Sequence, residues 1–262
     1  MSHQPRKRFG QNFLTDESVI SRIIDAIQPR KDQHLVEIGP GKGVLTQFLA
    51  DRCQQLDLIE IDRDLVVLLE KNYLGTTHVV IHQLDALQLE LACLSAAQYD
   101  GKLRLIGNLP YNISTPLMFH LFDQAELIAD MHVMLQKEVA DRLSASPGSK
   151  KCGRLSVITQ YRCKVCHLFD VAPESFNPRP KVWSSFIKLI PHQQPPVDIE
   201  SFTLFNTVVT QAFSQRRKTI RNTLSKLMTA EQISSVNIDP GRRAETLSLQ
   251  EFADLTRLAS GH

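Results

Sequence analysis

Apolar residues along this chain switch repeatedly between two spacings, and the switches order most of it. Val19, Ile20, Ile23, Ile24 and Ile27 fall on one face of a helix, with Asp16 placed to cap its start and Pro29 to close its end. Leu35-Val36-Glu37-Ile38 is then a short apolar run that reads as a strand. It breaks into Gly39-Pro40-Gly41-Lys42-Gly43, after which Val44, Leu45, Phe48 and Leu49 return to helical spacing. The pattern recurs. Leu56 to Asp62 predicts a second strand, with a helix through Leu65-Val66-Val67-Leu68-Leu69; Val79 to Leu84 predicts a third, with Asp85 at its tip. Leu103 to Gly107 predicts a fourth, followed by a helix that Ser114 or Thr115 can cap and Pro116 can begin, running through Leu117, Phe119, Leu121 and Phe122. Met131 to Leu135 predicts a fifth strand, and a helix from Lys137 to Leu143 follows.

Strands alternating with helices predict βαβ units and an α/β fold with a mostly parallel sheet. After a loop over residues 144–153, a helix from Leu155, a strand over residues 163–170 and another from Ser184 to Ile190 complete it. Pro191 to Pro196 reads as a linker. Beyond it the pattern is helical: residues 199–213, a basic helix from Arg216, and a last helix opened by the capping box Ser248-Leu249-Gln250-Glu251. The expected organisation is a sheet domain over residues 1–190 with a basic amino-terminal arm, and a small all-helical domain over residues 197–262.

Ligands of an open α/β sheet sit at the carboxyl ends of its strands, so the residues there are the candidates for chemistry. Gly39 and Gly41 let the backbone approach a ligand closely as it turns from strand to helix. Acids close the second strand about 20 residues later, the spacing at which a carboxylate accepts from ribose hydroxyls. Glu60 is the choice among them, because Asp62 and Asp64 suit a helix N-cap and first turn. Asp85 is placed to accept from the amino group of a bound adenine. The fourth strand ends in Asn108-Leu109-Pro110-Tyr111, which resembles the catalytic motif of amino-directed adenine methyltransferases. The lone pair of an exocyclic amino nitrogen is delocalised into the ring, and its protons are too weakly acidic for a side chain to remove. Two carbonyl acceptors, the Asn108 side chain and the Leu109 or Pro110 main chain, can hold the two hydrogens and turn the lone pair toward an electrophile. Tyr111 would stack on the extruded base, and Phe176, in the proline-stiffened loop Phe176-Asn177-Pro178-Arg179-Pro180-Lys181-Val182, is a second aromatic able to face it. A hydride-transferring dinucleotide enzyme shares the glycines and the acid, but uses G-x-G-x-x-G where this chain has G-x-G-x-G.

Charge sharpens the picture. Over 262 residues the formal net charge is only +2, with 42% apolar and 22% charged residues, ordinary for a globular enzyme. The bases are segregated, however. Arg6, Lys7 and Arg8 stand in residues 1–15 with no acid; Arg216, Arg217, Lys218, Arg221 and Lys226 stand in residues 214–228 with none; residues 144–183 hold seven bases, Lys181 among them, against two acids. A polyanionic partner is the inference, with Lys181 placed to meet a phosphate. Five cysteines at irregular spacing point to reduced thiols in a cytoplasm, and Cys163-x-x-Cys166, without a second pair, to no metal site. No apolar run approaches the roughly 20 residues of a membrane span.

Six motifs together, Phe9-Gly10-Gln11-Asn12-Phe13-Leu14, Glu37-Ile38-Gly39-Pro40-Gly41, Glu60-Ile61-Asp62, Gly107-Asn108-Leu109-Pro110-Tyr111-Asn112, Pro178-Arg179-Pro180-Lys181-Val182 and Gln215-Arg216-Arg217-Lys218, resemble those of the bacterial small-subunit ribosomal RNA adenine dimethyltransferases, in the same order and over nearly the whole chain. The resemblance implies a Rossmann-like class I methyltransferase sheet of seven strands with a helical carboxyl-terminal domain. It implies S-adenosylmethionine as donor and two neighbouring adenosines near the 3′ end of 16S rRNA, within the immature 30S subunit, as acceptors, each dimethylated at N6 by a cytoplasmic monomer acting in ribosome biogenesis. Asn12, Leu14, Gly39, Gly41, Glu60, Ile61, Asp85 and Asn108 match cofactor positions; Asn108, Leu109, Pro110, Tyr111 and Phe176 match the target-base pocket. Arg6, Lys7, Arg8, Lys181, Arg216, Arg217, Lys218 and Arg221 are the expected RNA contacts. Trp183 departs from the family's pattern. Two rivals stay open on sequence: a large-subunit rRNA adenine methyltransferase of the macrolide-resistance type, and a non-catalytic ribosome assembly factor.

Overall fold

In the computed structural model of the chain, residues 11–95 and 101–261 are described; the basic residues Arg6, Lys7 and Arg8 lie outside them. Nine strands are assigned among these residues: β1 (Phe13–Leu14), β2 (His34–Ile38), β3 (Gln55–Glu60), β4 (Val79–Gln83), β5 (Leu103–Asn108), β6 (Ile128–Gln136), β7 (Cys163–Val171), β8 (Phe176–Asn177) and β9 (Ser184–Pro191). The helices before and between the sheet strands are α1 (Glu17–Ile27), α2 (Thr46–Leu49), α3 (Arg63–Asn72), α4 (Leu91–Ser95), α5 (Ser114–Phe122), α6 (Lys137–Leu143) and α7 (Arg154–Arg162). After the sheet come α8 (Phe202–Ala212), α9 (Ile220–Thr223), α10 (Ala230–Ser235) and α11 (Leu249–Ser260).

Seven strands form one sheet in the order β4-β3-β2-β5-β6-β9-β7. From β4 to β6 the pairings are parallel, and β9 joins β6 antiparallel. The predicted α/β sheet is therefore present with seven strands, mostly parallel. All five residues of β2 are buried, as expected of a central strand covered on both faces. Strand order reverses between β2 and β5, and a crevice opens beyond their carboxyl ends, where this class of sheet binds ligands. The register carries Gly107 of β5 against Ile38 of β2, and a Cβ added to Gly107 would come within 2.7 Å of the Ile38 carbonyl oxygen. Only glycine lets the two strand ends approach so closely.

The expected face of α1, Val19, Ile20, Ile23, Ile24 and Ile27, is buried, and Asp16 caps it by accepting from the amides of Ser18 and Val19 at 3.0 and 3.3 Å. Beside this apolar packing lies a buried charged network on β5 and β6. Arg104 stands opposite Asp130 and bonds it through Nε at 2.8 Å and Nη2 at 3.1 Å. Its remaining donors reach the Gln33 side chain at 2.7 Å and the Ile27 carbonyl at 2.7 Å. Lys188 lies 3.1 Å from Asp130 on the other side.

Three expectations need correction. Residues 216–218 are not helical: the amides that follow, of Ile220 and Arg221, bond to the carbonyls of Arg242 and Pro240, so that α9 is a single turn. No side chain caps α5; its N-cap is Ile113, and Ser114 Oγ donates backward to the Tyr111 carbonyl at 3.2 Å. The chain also divides differently. One compact unit runs to Ala140 and resumes over Cys166–Pro191; the other combines Asp141–Val165 with His192–His262. Residues 141–165, assigned by sequence to the sheet domain, join the helical unit because α7 buries Leu155, Ile158 and Tyr161 within it, with the Tyr161 ring 5.6 Å from that of Phe202 on α8.

Candidate active site

A cavity of about 270 Å³ opens at the carboxyl ends of β2, β3, β4 and β5, beneath residues 11–14. Every predicted cofactor residue lines it: Asn12, Leu14, Gly39, Gly41, Glu60, Ile61, Asp85 and Asn108. The glycine turn after β2 reaches the cavity because Gly39, Gly41 and Gly43 take positive φ angles of 67°, 60° and 81°, where a side chain is strained. At Gly41 a Cβ would also stand 3.1 Å from the Phe13 ring.

Glu60 is buried, and its carboxylate ties the glycine turn to the end of β3: Oε2 accepts from the Gly41 amide at 3.2 Å and Oε1 from the Asp62 amide at 2.9 Å. Burial raises its pKa, while these amides pull it back. Each oxygen keeps a further lone pair for a ligand hydroxyl. Asp62 caps α3 as expected, accepting from the Asp64 amide at 3.2 Å. Asp85 turns one oxygen to the Leu87 amide at 3.0 Å, at the start of a short turn, and sits at the cavity wall. Ile61, 42% exposed, is an uncovered apolar side chain on that wall, the kind of surface a flat heterocycle covers.

The Asn108 side chain is part-buried at the end of β5. Its Nδ2 donates to the Asn12 carbonyl at 3.0 Å, leaving Oδ1 to accept. The Leu109 amide donates to the Met134 carbonyl at 3.2 Å, and the Pro110 carbonyl accepts from the Ile113 amide at 3.2 Å. Tyr111 lines the cavity with its hydroxyl 2.6 Å from Ser184 Oγ, a wholly buried group at the start of β9. Burial raises the tyrosine pKa against that hydrogen bond, so the ring is present as the neutral phenol.

Phe176 is not among the residues that line this cavity. It is 3% exposed, belongs to the apolar core, and pairs through β8 with Leu14 of β1. An aromatic that packs in a core has the same sequence signature as one that faces a base. Lys181 and Trp183 are exposed; the Trp183 carbonyl accepts from the Lys137 amide at 2.9 Å. Arg216, Arg217, Lys218 and Arg221 are exposed in the second unit, where Arg216 also reaches the Lys150 carbonyl.

The sequence pattern alone does not single out Gln11, Ser184 or, above all, Glu37. The last is visible as an acid inside an apolar strand. Glu37 lines the cavity, is 2% exposed, and accepts from Thr46 Oγ1 at 2.7 Å. Burial pushes its pKa up to about 7; the Thr46 hydroxyl opposes this and nearby Glu60 adds to it. A pKa raised on folding favours the protonated form in the native state, so the stability of the ligand-free protein falls as pH rises from about 4.5 to about 7. Glu37→Gln should flatten that part of the profile and unfold at higher urea than wild type at pH 7.5, with little difference near pH 5; unchanged midpoints across this range would show that Glu37 ionises freely.

A family model described as ribosomal RNA adenine dimethylase matches residues 2–260. The chain belongs to that family. Among its relatives, the ribosomal RNA small subunit methyltransferase A of Chromohalobacter salexigens is 53% identical over 261 residues, covering 99% of this chain and 92% of that one. The protein of the same name from Methylococcus capsulatus is 50% identical, covering 98% of each. A dimethyladenosine transferase from Plasmodium falciparum, solved as a crystal structure, superposes with a TM-score of 0.78 at 25% identity, over 93% of this chain and 95% of that one. A 23S rRNA methyltransferase shares the fold, with a TM-score of 0.71 at 23% identity over 95% of this chain and all of that one. Among the described residues no helix is long and apolar enough to cross a membrane.

Proposed function

We propose that this chain dimethylates N6 of two adjacent adenosines in a loop near the 3′ end of 16S rRNA, using S-adenosylmethionine, and acts in ribosome biogenesis. The partner in this reading is the rRNA within the immature 30S subunit, met by a monomer in the cytoplasm. The observation that carries the reading is the Asn108 carboxamide, oriented as an acceptor by the Asn12 carbonyl at one end of a cavity whose other walls hold Glu60 and Asp85.

The residues present fit the cofactor. Lone pairs on Glu60 suit ribose hydroxyls, Asp85 suits an adenine amino group, Ile61 offers a face for the ring, and the glycine turn leaves room where a Cβ at Gly41 would meet Phe13. When bound, S-adenosylmethionine supplies an electrophilic methyl group on a positively charged sulfur. Asn108 Oδ1 and the Leu109 carbonyl accept the two N6 hydrogens of the extruded adenine; of the two main-chain candidates Leu109 is preferred, since the Pro110 carbonyl already accepts from Ile113. Tyr111, its ring pinned through Ser184, stacks on the base. Alignment and lone-pair localisation supply the catalysis, and no side chain has to remove a proton before attack.

The two bacterial relatives that are 53% and 50% identical carry small-subunit names, which favours 16S over 23S rRNA. The deciding experiment is methyl transfer to unmodified small and large subunits followed by nucleoside analysis. N6,N6-dimethyladenosine in 16S rRNA is expected. The same nucleoside in 23S rRNA alone would move the assignment to the large-subunit enzymes, and absence of transfer to either would leave an assembly factor.

Exposed Arg217 and Lys218 are expected to contact phosphate. RNA affinity should then fall steeply with potassium chloride, and Arg217→Ala with Lys218→Ala should reduce the slope of log K against log salt by about 1–2. An unchanged slope would place the footprint elsewhere.

A further inference from the structure

The amino-terminal residues 11–15 form a strap whose connections reach both halves of the cavity. On one side β1 pairs with β8, and the Thr15 amide donates to the Ser175 carbonyl at 2.8 Å. On the other, Gln11 Nε2 donates to Asp62 Oδ2 at 3.0 Å. Asp62 is wholly buried, and its own amide donates to Glu60 Oε1 at 2.9 Å. One residue further along the strap, the Asn12 carbonyl takes the hydrogen bond from Asn108 Nδ2 at 3.0 Å. Glu60, Asp62, Gln11, the peptide to Asn12, and Asn108 thus make one connected path from the ribose corner to the acceptor of the amino group.

The Asn12 link matters because a carboxamide has two ends of nearly the same shape and opposite hydrogen-bonding character. Rotated by half a turn, Asn108 would present Nδ2 to the adenine amino group, a donor against donors, and Oδ1 to the Asn12 carbonyl, an acceptor against an acceptor. The strap carbonyl therefore selects the productive orientation, provided that it is held in place. Gln11 holds it.

We propose that Gln11 is a positioning residue for methyl transfer: by anchoring the strap to Asp62 it fixes the Asn12 carbonyl, and through it the Asn108 acceptor, in step with the Glu60 corner. This rests on the reading under Proposed function. Gln11 is among the residues lining the cavity, and the contribution argued for it is coupling, which a double-mutant cycle reads directly.

The test uses the full chain, unmodified small subunits and labelled S-adenosylmethionine under single turnover, with variants that unfold at the wild-type midpoint. Gln11→Ala should lower the transfer rate about tenfold while shifting the cofactor Kd by less than threefold. In an Asn108→Ala background the same change should cost less than twofold, because nothing is left to orient. Gln11→Glu, facing Asp62 with like charge, should be worse than Gln11→Ala, and adding Asp62→Asn should recover most of the loss by reversing donor and acceptor. A wild-type rate in Gln11→Ala, or a tenfold loss that persists undiminished without the Asn108 amide, overturns the proposal. The side-chain amide signal of Asn108 gives a readout free of activity: Gln11→Ala should shift it and speed its hydrogen exchange. If wild type itself transfers no methyl, the functional reading fails, and this signal alone decides whether Gln11 holds Asn108; no change in it overturns the proposal.

Discussion

Asn108→Ala should lower the rate of methyl transfer by about 10²–10³-fold while the affinity for S-adenosylmethionine stays within a few-fold, because one preorganised partner of the reacting group is lost and the binding walls remain. Glu60, Asp85 and the glycine turn hold their positions through bonds that do not involve Asn108. The loss should therefore appear in kcat rather than in cofactor binding, and it should be uniform across pH, because no titrating group is removed. Isothermal titration for the cofactor and single-turnover transfer to unmodified small subunits measure the two quantities separately. Turnover within about threefold of wild type would remove Asn108 from the chemistry.

The largest expected loss of stability comes from a residue remote from the reaction. Arg104→Ala should destabilise the fold by about 3–5 kcal/mol in urea denaturation, since removing one partner of a buried ion pair strands the other without its solvation. Asp130 is 9% exposed and Arg104 7%. The substitution also takes the guanidinium donor from the Ile27 carbonyl and one of two donors from Gln33 Oε1, which keeps the Arg30 amide at 3.0 Å. Lys188 remains 3.1 Å from Asp130, which places the expected value toward the lower end. Burial pushes the Asp130 carboxyl up, but His132 and Arg104 overcome this and hold it well below the usual range. A depressed pKa contributes stability above the unfolded-state value, lost as pH falls, so the deficit of Arg104→Ala should narrow in acid. A deficit below about 1 kcal/mol at neutral pH would mean that the network relaxes around the gap.

Much of the site is legible in the sequence because it lies at strand ends. Once Ile38, Glu60 and Asn108 are placed at the carboxyl ends of parallel strands, the topology brings them to one crevice, and spacing along the chain does the rest. Pieces made by contacts distant in sequence are not legible in the same way. Phe13-Leu14 and Phe176-Asn177 are strands of two residues each, too short for any alternation, and they meet across more than 160 positions. Residue type and motif membership point Phe176 to the base pocket, yet the same ring satisfies the core. The bases from Arg216 look helical by propensity, but the amides that follow find partners at Pro240 and Arg242, which no local window contains. Gln11 gives no signal beyond membership of a motif, since an exposed amide and one anchoring a strap look alike in sequence.

The helical unit is assembled from two separated stretches, Asp141–Val165 and His192–His262. A gene fragment ending at Pro191 would not express a self-sufficient sheet half: it would carry α7 with the Tyr161 ring stripped of Phe202 and Phe205, an oily surface prone to clumping. Removing residues 141–165 as well would not part them cleanly, because that cut runs through α6 and takes the first three residues of β7 from the sheet.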